Sequence, residues 1–115
     1  ENINWTNVDI REKVQQSRRF AIAVQHALYG MLASQIPGMR NRGIKEASYV
    51  VLTGTSMPAV LAEVSFVSSP ADEAKLQSSN YRQKIAEALY KGIAHYAATS
   101  HRVNIASAPS KPNGL

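Results

Sequence analysis

A chain of 115 residues, 44% of them hydrophobic, has room for one domain with a core of its own. Its apolar runs are strand-length, short of the ~20 residues a membrane-spanning helix requires, and with no cysteine it has no disulfide, thiol nucleophile or thiolate metal site. The net charge of +5 suits an anionic partner, but only Arg40, Arg42 and Lys45 gather in one loop, with Arg18-Arg19 as a lesser pair, and no aromatic residues interleave with them as a base-stacking groove requires; nucleic acid is not the expected partner.

The chain opens on Glu1 and has no charged-then-apolar leader, and we expect it to be a piece of something longer. Residues 1 to 8 are polar and without periodicity. Asp9 with Glu12 resembles a capping box, and Val14, Phe20, Val24, Ala27, Leu28, Met31 and Leu32 recur at helical spacing. This predicts a helix to about residue 35, where Pro37-Gly38 stops it. His26 sits beside the stripe as an ordinary helix histidine. A basic loop follows over 39–45, then Ser48-Tyr49-Val50-Val51-Leu52-Thr53, a β-branched run that predicts a buried strand. After a turn at 54–57, Pro58 to Val67 predicts a second strand. So short a connection leaves no room for a helical crossover, so the sheet is expected to be mixed.

Ser69-Pro70 with Asp72 and Glu73 in the next turn predicts the start of a short helix to about Gln77. Ser78 or Ser79 caps the next, in which Ile85, Ala86, Leu89, Ile93 and Tyr96 form a second stripe to about Ala98. From Thr99 to Leu115 the sequence is aperiodic and predicts a flexible tail. Two strands between amphipathic helices predict an α/β unit, and the unpaired edges of a two-stranded sheet predict that it is part of a larger one.

No phosphate-binding glycine loop, nucleophile elbow, His-Glu-x-x-His or EF-hand loop is present, and His26, His95 and His101 have no paired ligand spacing. One residue stands out. Glu63 lies inside Pro58-Ala59-Val60-Leu61-Ala62-Glu63-Val64-Ser65-Phe66-Val67, an otherwise apolar or small run. A carboxylate there needs either a counter-ion, for which Arg40 or Arg42 are candidates, or a chemical task.

Ser17-x-x-Phe20-Ala21, then Asn41-Arg42-Gly43-Ile44-Lys45-x-Ala47-x-Tyr49-x-Val51-Leu52, then Met57 to Ser68, then Asp72-Glu73-x-x-Leu76 and Tyr81-Arg82-x-x-Ile85-Ala86 leading to Gly92-Ile93, come in a definite order. That order closely resembles the later part of the zinc-dependent N-acetylmuramoyl-L-alanine amidases, cell-wall hydrolases of the amidase-3 type, over about residues 14 to 97. Ser65 and Ser69 depart from the family's usual Gly and Asn. The resemblance implies a three-layer α/β/α sandwich around a mixed sheet, with residues 1–98 forming the C-terminal part of an amidase catalytic domain and 99–115 the tail. It implies peptidoglycan as substrate, a periplasmic or extracellular place, zinc to polarise the amide carbonyl, and Glu63 as the general acid/base beside it. The family's zinc ligands precede the matched region. The resemblance therefore implies a chain that takes zinc only with the missing N-terminal part of its domain and is inactive alone. The alternative expectation is a non-catalytic envelope module whose basic surface binds acidic cell-wall polymer.

Overall fold

The computed structural model describes residues 7–65 and 68–107, and side-chain surroundings for 9–65 and 68–100. It contains four helices: α1 (Asn7–Gln35), α2 (Val50–Thr53), α3 (Pro70–Leu76) and α4 (Ser79–Ser107). α1 starts two residues ahead of Asp9 and ends where its periodicity predicts. Past its last residue the Ile36 N–H still donates to the Leu32 carbonyl at 2.8 Å. Gly38 then takes φ +75°, a left-handed conformation that a side chain resists and that turns the chain off the helix axis.

The C-terminal half follows its local signals closely. Ser69 is the N-cap of α3, with its hydroxyl facing the Asp72 N–H, Pro70 in the first turn and Asp72 and Glu73 at the positive end of the helix. Ser78 rather than Ser79 caps α4: its side-chain oxygen accepts from the Tyr81 N–H at 3.3 Å and its carbonyl from the Arg82 N–H at 3.1 Å. α4 then runs beyond Ala98 to Ser107. No proline or glycine interrupts 99–107, and adding a residue to an existing helix is far easier than starting one. The remaining stretch of the expected tail, 108–115, lies outside the described residues.

α1 and α4 lie antiparallel, since Gln16 and Phe20 meet Tyr96 while Val24 meets Gly92. The core forms along this seam from Val24, Leu28 and Leu32 on α1 and Tyr81, Ile85 and Ala88 on α4, with Leu76 of α3 packed against it. Phe20 and Tyr96 stack with ring centroids 4.8 Å apart, and the Tyr96 hydroxyl donates to Gln16 Oε1 at 3.2 Å, so the ring's polar end is satisfied while its face is covered. On α4 the buried line is Tyr81, Ile85, Ala88 and Gly92, each three or four residues from the next. Ala86 and Ile93, placed in the stripe by the sequence, fall one position off this line and are exposed.

The expected α/β/α sandwich is not what forms. Among the described residues there is no strand and no sheet. Residues 48–53, predicted as a strand, instead carry α2, in which Leu52, Thr53 and Gly54 donate to the carbonyls of Tyr49 or Val50 at 2.8–2.9 Å. Residues 58–65, predicted as the second strand, run without regular secondary structure, and Phe66 and Val67 lie outside the described residues. The reason is pairing. Preference for β structure measures how well side chains fit a half-buried pleated surface, and a strand's N–H and C=O groups need a neighbouring ladder. The two runs do not supply one to each other. The first then meets its hydrogen bonds within a single helical turn, and the second is held by contacts to α1 and the core.

Candidate functional site

The segment that carries Glu63 is fastened to α1 by two side chains one helical turn apart, Lys13 and Ser17, which therefore share a face. Lys13 Nζ donates to the Leu52 carbonyl at 2.7 Å and also to the Thr55 carbonyl, gathering two carbonyl oxygens where α2 ends. Ser17 Oγ accepts from the Ala59 N–H at 3.1 Å. Within the turn, Thr55 Oγ1 donates to the Met57 carbonyl at 3.1 Å. Beyond Ala59 the next anchor is Val64, which packs against the α1/α4 core. Glu63 thus lies in the short span between two fixed points.

Its surroundings differ from the sequence expectation. Leu61, Ala62 and Glu63 are exposed, and Glu63 makes no hydrogen bond or ion pair with any described residue. It is therefore not a buried charge, and the pairing with Arg40 or Arg42 that would have made it purely structural does not form. A solvated carboxylate on an anchored span keeps both oxygens open as hydrogen-bond acceptors.

The basic loop is clasped separately. Asn41 Oδ1 accepts from the Gly43 N–H at 2.9 Å and from Gln25 Nε2 at 2.9 Å, and Gly43 holds φ +70°. Asn41 thus closes a side-chain-to-backbone turn that only a glycine enters without strain, and ties it to the middle of α1. Arg18 on α1 pairs with Glu46 at 3.6 Å, but both side chains are largely solvated, so the pair contributes little.

The structure does not bring the histidines together. His26 is exposed on α1, His95 is exposed on α4, and the side chain of His101 lies outside the described residues. No group of three or more His, Asp or Glu side chains among the described residues is arranged to hold a metal ion, so these residues do not fit a zinc centre. No helix among them is long and apolar enough to cross a membrane. Sequence reasoning missed Lys13 as part of the site. A lysine one turn before Ser17 signals a shared face, but nothing in the sequence says that its ammonium will find the carbonyls of Leu52 and Thr55.

Comparison with known proteins adds an independent line. The family model described as N-acetylmuramoyl-L-alanine amidase, of the amidase-3 type, matches residues 6–95. The Bacillus subtilis protein YqiI is 40% identical over 82 residues, covering 71% of this chain and 37% of that protein. The N-acetylmuramoyl-L-alanine amidase LytC of Bacillus subtilis is 33% identical over 95 residues, 83% of this chain and 18% of its own. The N-acetylmuramoyl-L-alanine amidase AmiA of Escherichia coli is 40% identical over 58 residues, 50% of this chain and 20% of its own. The chain thus spans well under half the length of the relatives it matches. No solved structure matches it.

Proposed function

The chain belongs to the amidase-3 family of N-acetylmuramoyl-L-alanine amidases, and from that membership we propose that the protein of which it is part is a peptidoglycan hydrolase. It cleaves the amide between the lactyl group of N-acetylmuramic acid and the L-alanine of the stem peptide, in the periplasm or outside the cell, where that substrate lies. The observation that carries the reading is the family match across the whole of α1 to most of α4, with Glu63 inside it.

In this reading Glu63 is the general acid/base. Its carboxylate accepts a proton from the attacking water as the new C–O bond forms, and returns a proton to the departing amine nitrogen as the C–N bond breaks. An exposed carboxylate without an internal partner, on a span fixed at Ala59 and Val64, supports this role, because a group that must exchange protons with substrate cannot be tied up in a salt bridge. Zinc enters as a cofactor of the complete domain. It supplies Lewis-acid polarisation of the scissile carbonyl when bound, and its ligands belong to the upstream part of the domain, which is the partner this chain needs for activity. The second reading, a non-catalytic envelope module that binds acidic cell-wall polymer, draws support from the net charge of +5.

The test is release of stem peptide from purified peptidoglycan by the complete protein with zinc supplied, wild type beside Glu63→Gln. We expect turnover to fall by about 10²–10⁴-fold in the variant, the range for losing a general acid/base, with folding and wall binding retained. Full activity in Glu63→Gln sinks the assignment of Glu63. No release by either protein, with zinc bound and the fold intact, favours the binding module.

A further inference from the structure

The chain between α2 and Glu63 runs alongside α1 and is reached from it by three hydrogen bonds in chain order. Lys13 Nζ donates to the Leu52 carbonyl at 2.7 Å and to the Thr55 carbonyl, and one helical turn on, Ser17 Oγ accepts from the Ala59 N–H at 3.1 Å. Between these anchors Met57 and Pro58 border a hollow of about 400 Å³ whose other walls include Phe20 of α1 and Ile93 and Tyr96 of α4. Met57 is 65% exposed, so burial of its side chain does little to seat the chain there. Polar anchors hold this stretch where close packing does not.

The anchors are unequal. Two of the three bonds come from one ammonium, and a charge-assisted hydrogen bond is roughly twice as strong as a neutral one. An ammonium has three donors and can hold two carbonyls at once, whereas the Ser17 hydroxyl holds one N–H. Both carbonyls held by Lys13 lie where α2 ends, so its ammonium sets the direction in which the chain leaves that helical turn and travels toward Ala59 and Glu63. Glu63 makes no hydrogen bond or ion pair with any described residue, so the position of its carboxylate is inherited from the anchored backbone on either side.

We propose that Lys13 is a positioning residue for the amide hydrolysis: by holding the Leu52 and Thr55 carbonyls against α1 it fixes where the Glu63 carboxylate stands when substrate is bound. Lys13 acts on the backbone that carries the acid/base and touches no reacting atom. A proton moves efficiently only between heavy atoms within hydrogen-bond reach, and a misplacement of about 1 Å can cost about 10²-fold in rate. A side chain that binds two carbonyls eight and eleven residues before Glu63 therefore bears on turnover through geometry alone. The inference rests on the reading of Glu63 as general acid/base.

The test measures stem-peptide release by the complete protein, zinc supplied, for wild type, Lys13→Met, Lys13→Arg, Glu63→Gln and the double variant Lys13→Met/Glu63→Gln. Lys13→Met keeps the length of the side chain and removes its donors; kcat is expected to fall by about 10–10²-fold, with KM within about twofold of wild type. Lys13→Arg still presents several donors to the two carbonyls and is expected to recover most of kcat. In the double variant the loss is expected to be no larger than in Glu63→Gln alone, because a residue that acts only through Glu63 has nothing left to position. A change that merely unfolds part of the protein would instead lower both backgrounds by the same factor. Nitrogen-15 relaxation gives a readout without turnover: the order parameter of the Glu63 amide is expected to fall from about 0.85 to below about 0.6 in Lys13→Met. Wild-type kcat in Lys13→Met, a Lys13→Arg enzyme as slow as Lys13→Met, losses that multiply in the double variant, or an unchanged order parameter overturns the proposal. Full turnover in Glu63→Gln marks failure of the acid/base reading, whereas a slow Glu63→Gln beside an unimpaired Lys13→Met marks failure of this inference alone.

Discussion

Gly92 and Gly30 are both helical glycines in the same antiparallel helix pair, and replacing each by alanine should move stability in opposite directions. At Gly92 an added Cβ would stand 2.7 Å from Val24 Cα and 3.2 Å from both the Ala23 carbonyl oxygen and Val24 Cγ2. Carbon atoms pack at about 3.5–4.0 Å, and the nearest atom is backbone, so relief requires α1 and α4 to separate by about 1 Å rather than a side chain to swing aside. Overpacking of this kind costs about 1–3 kcal/mol, while alanine's better helix propensity returns at most about 1 kcal/mol. The net expectation is a loss of about 1–2 kcal/mol, spread over the Val24, Leu28 and Ile85 contacts that the separation loosens. At Gly30 the same methyl meets nothing within 4 Å, so only the propensity term acts and stability should rise by about 0.5–1 kcal/mol. Urea unfolding of the two variants, followed by circular dichroism, reads the difference directly. With an m-value of about 1–3 kcal/mol/M, the two midpoints should separate by about 1–2 M, with the wild type between them. A Gly92→Ala midpoint that rises as Gly30→Ala does would show that the helices do not approach at Gly92, and the antiparallel seam as described would be wrong.

Two further outcomes follow from the same contacts. Ser78→Ala removes the oxygen that accepts from the Tyr81 N–H and should cost about 1 kcal/mol, whereas Ser78→Gly should cost only a few tenths; equal losses on urea unfolding would mean that the hydroxyl is not acting as the cap. Ser17→Ala frees the Ala59 N–H into solvent, so global stability should change by less than about 1 kcal/mol while amide exchange at Ala59 and proteolytic cleavage across 54–65 both accelerate. Unchanged protection at Ala59 would refute the fastening role of Ser17.

Helix positions were legible where the signal is local. The Ser69-Pro70-x-Asp72-Glu73 start, the Ser78 cap and the stop at Pro37-Gly38 each depend on residues within one turn of one another, and all appear where the sequence puts them. The phase of the α4 stripe was less legible. Helical spacing alone admits Ala86 and Ile93 as readily as Ala88 and Gly92, and the close approach of Val24 to Gly92 selects the second pair. Glycine carries no hydrophobic signal, so the residue that brings the helices closest is the one a hydrophobic pattern overlooks.

The β-branched runs mark the boundary more sharply. Tyr49 to Thr53 and Pro58 to Val67 have strand-like composition, but composition specifies only a preference, and a strand exists only with a partner to pair its backbone. What the sequence determined by itself was the family, the two long amphipathic helices, the Ser78 cap of the second and the presence of one unusual carboxylate at Glu63. What only the tertiary structure decided was that Glu63 is solvated and unpaired, that Lys13 and Ser17 reach across about forty residues to hold its segment, and that Gly92 of α4 meets Val24 of α1. Caps and periodicity are fixed by neighbours in the chain, whereas exposure, fastening and shared surface depend on which distant segments meet, and side-chain chemistry acquires those relations only when the chain is folded.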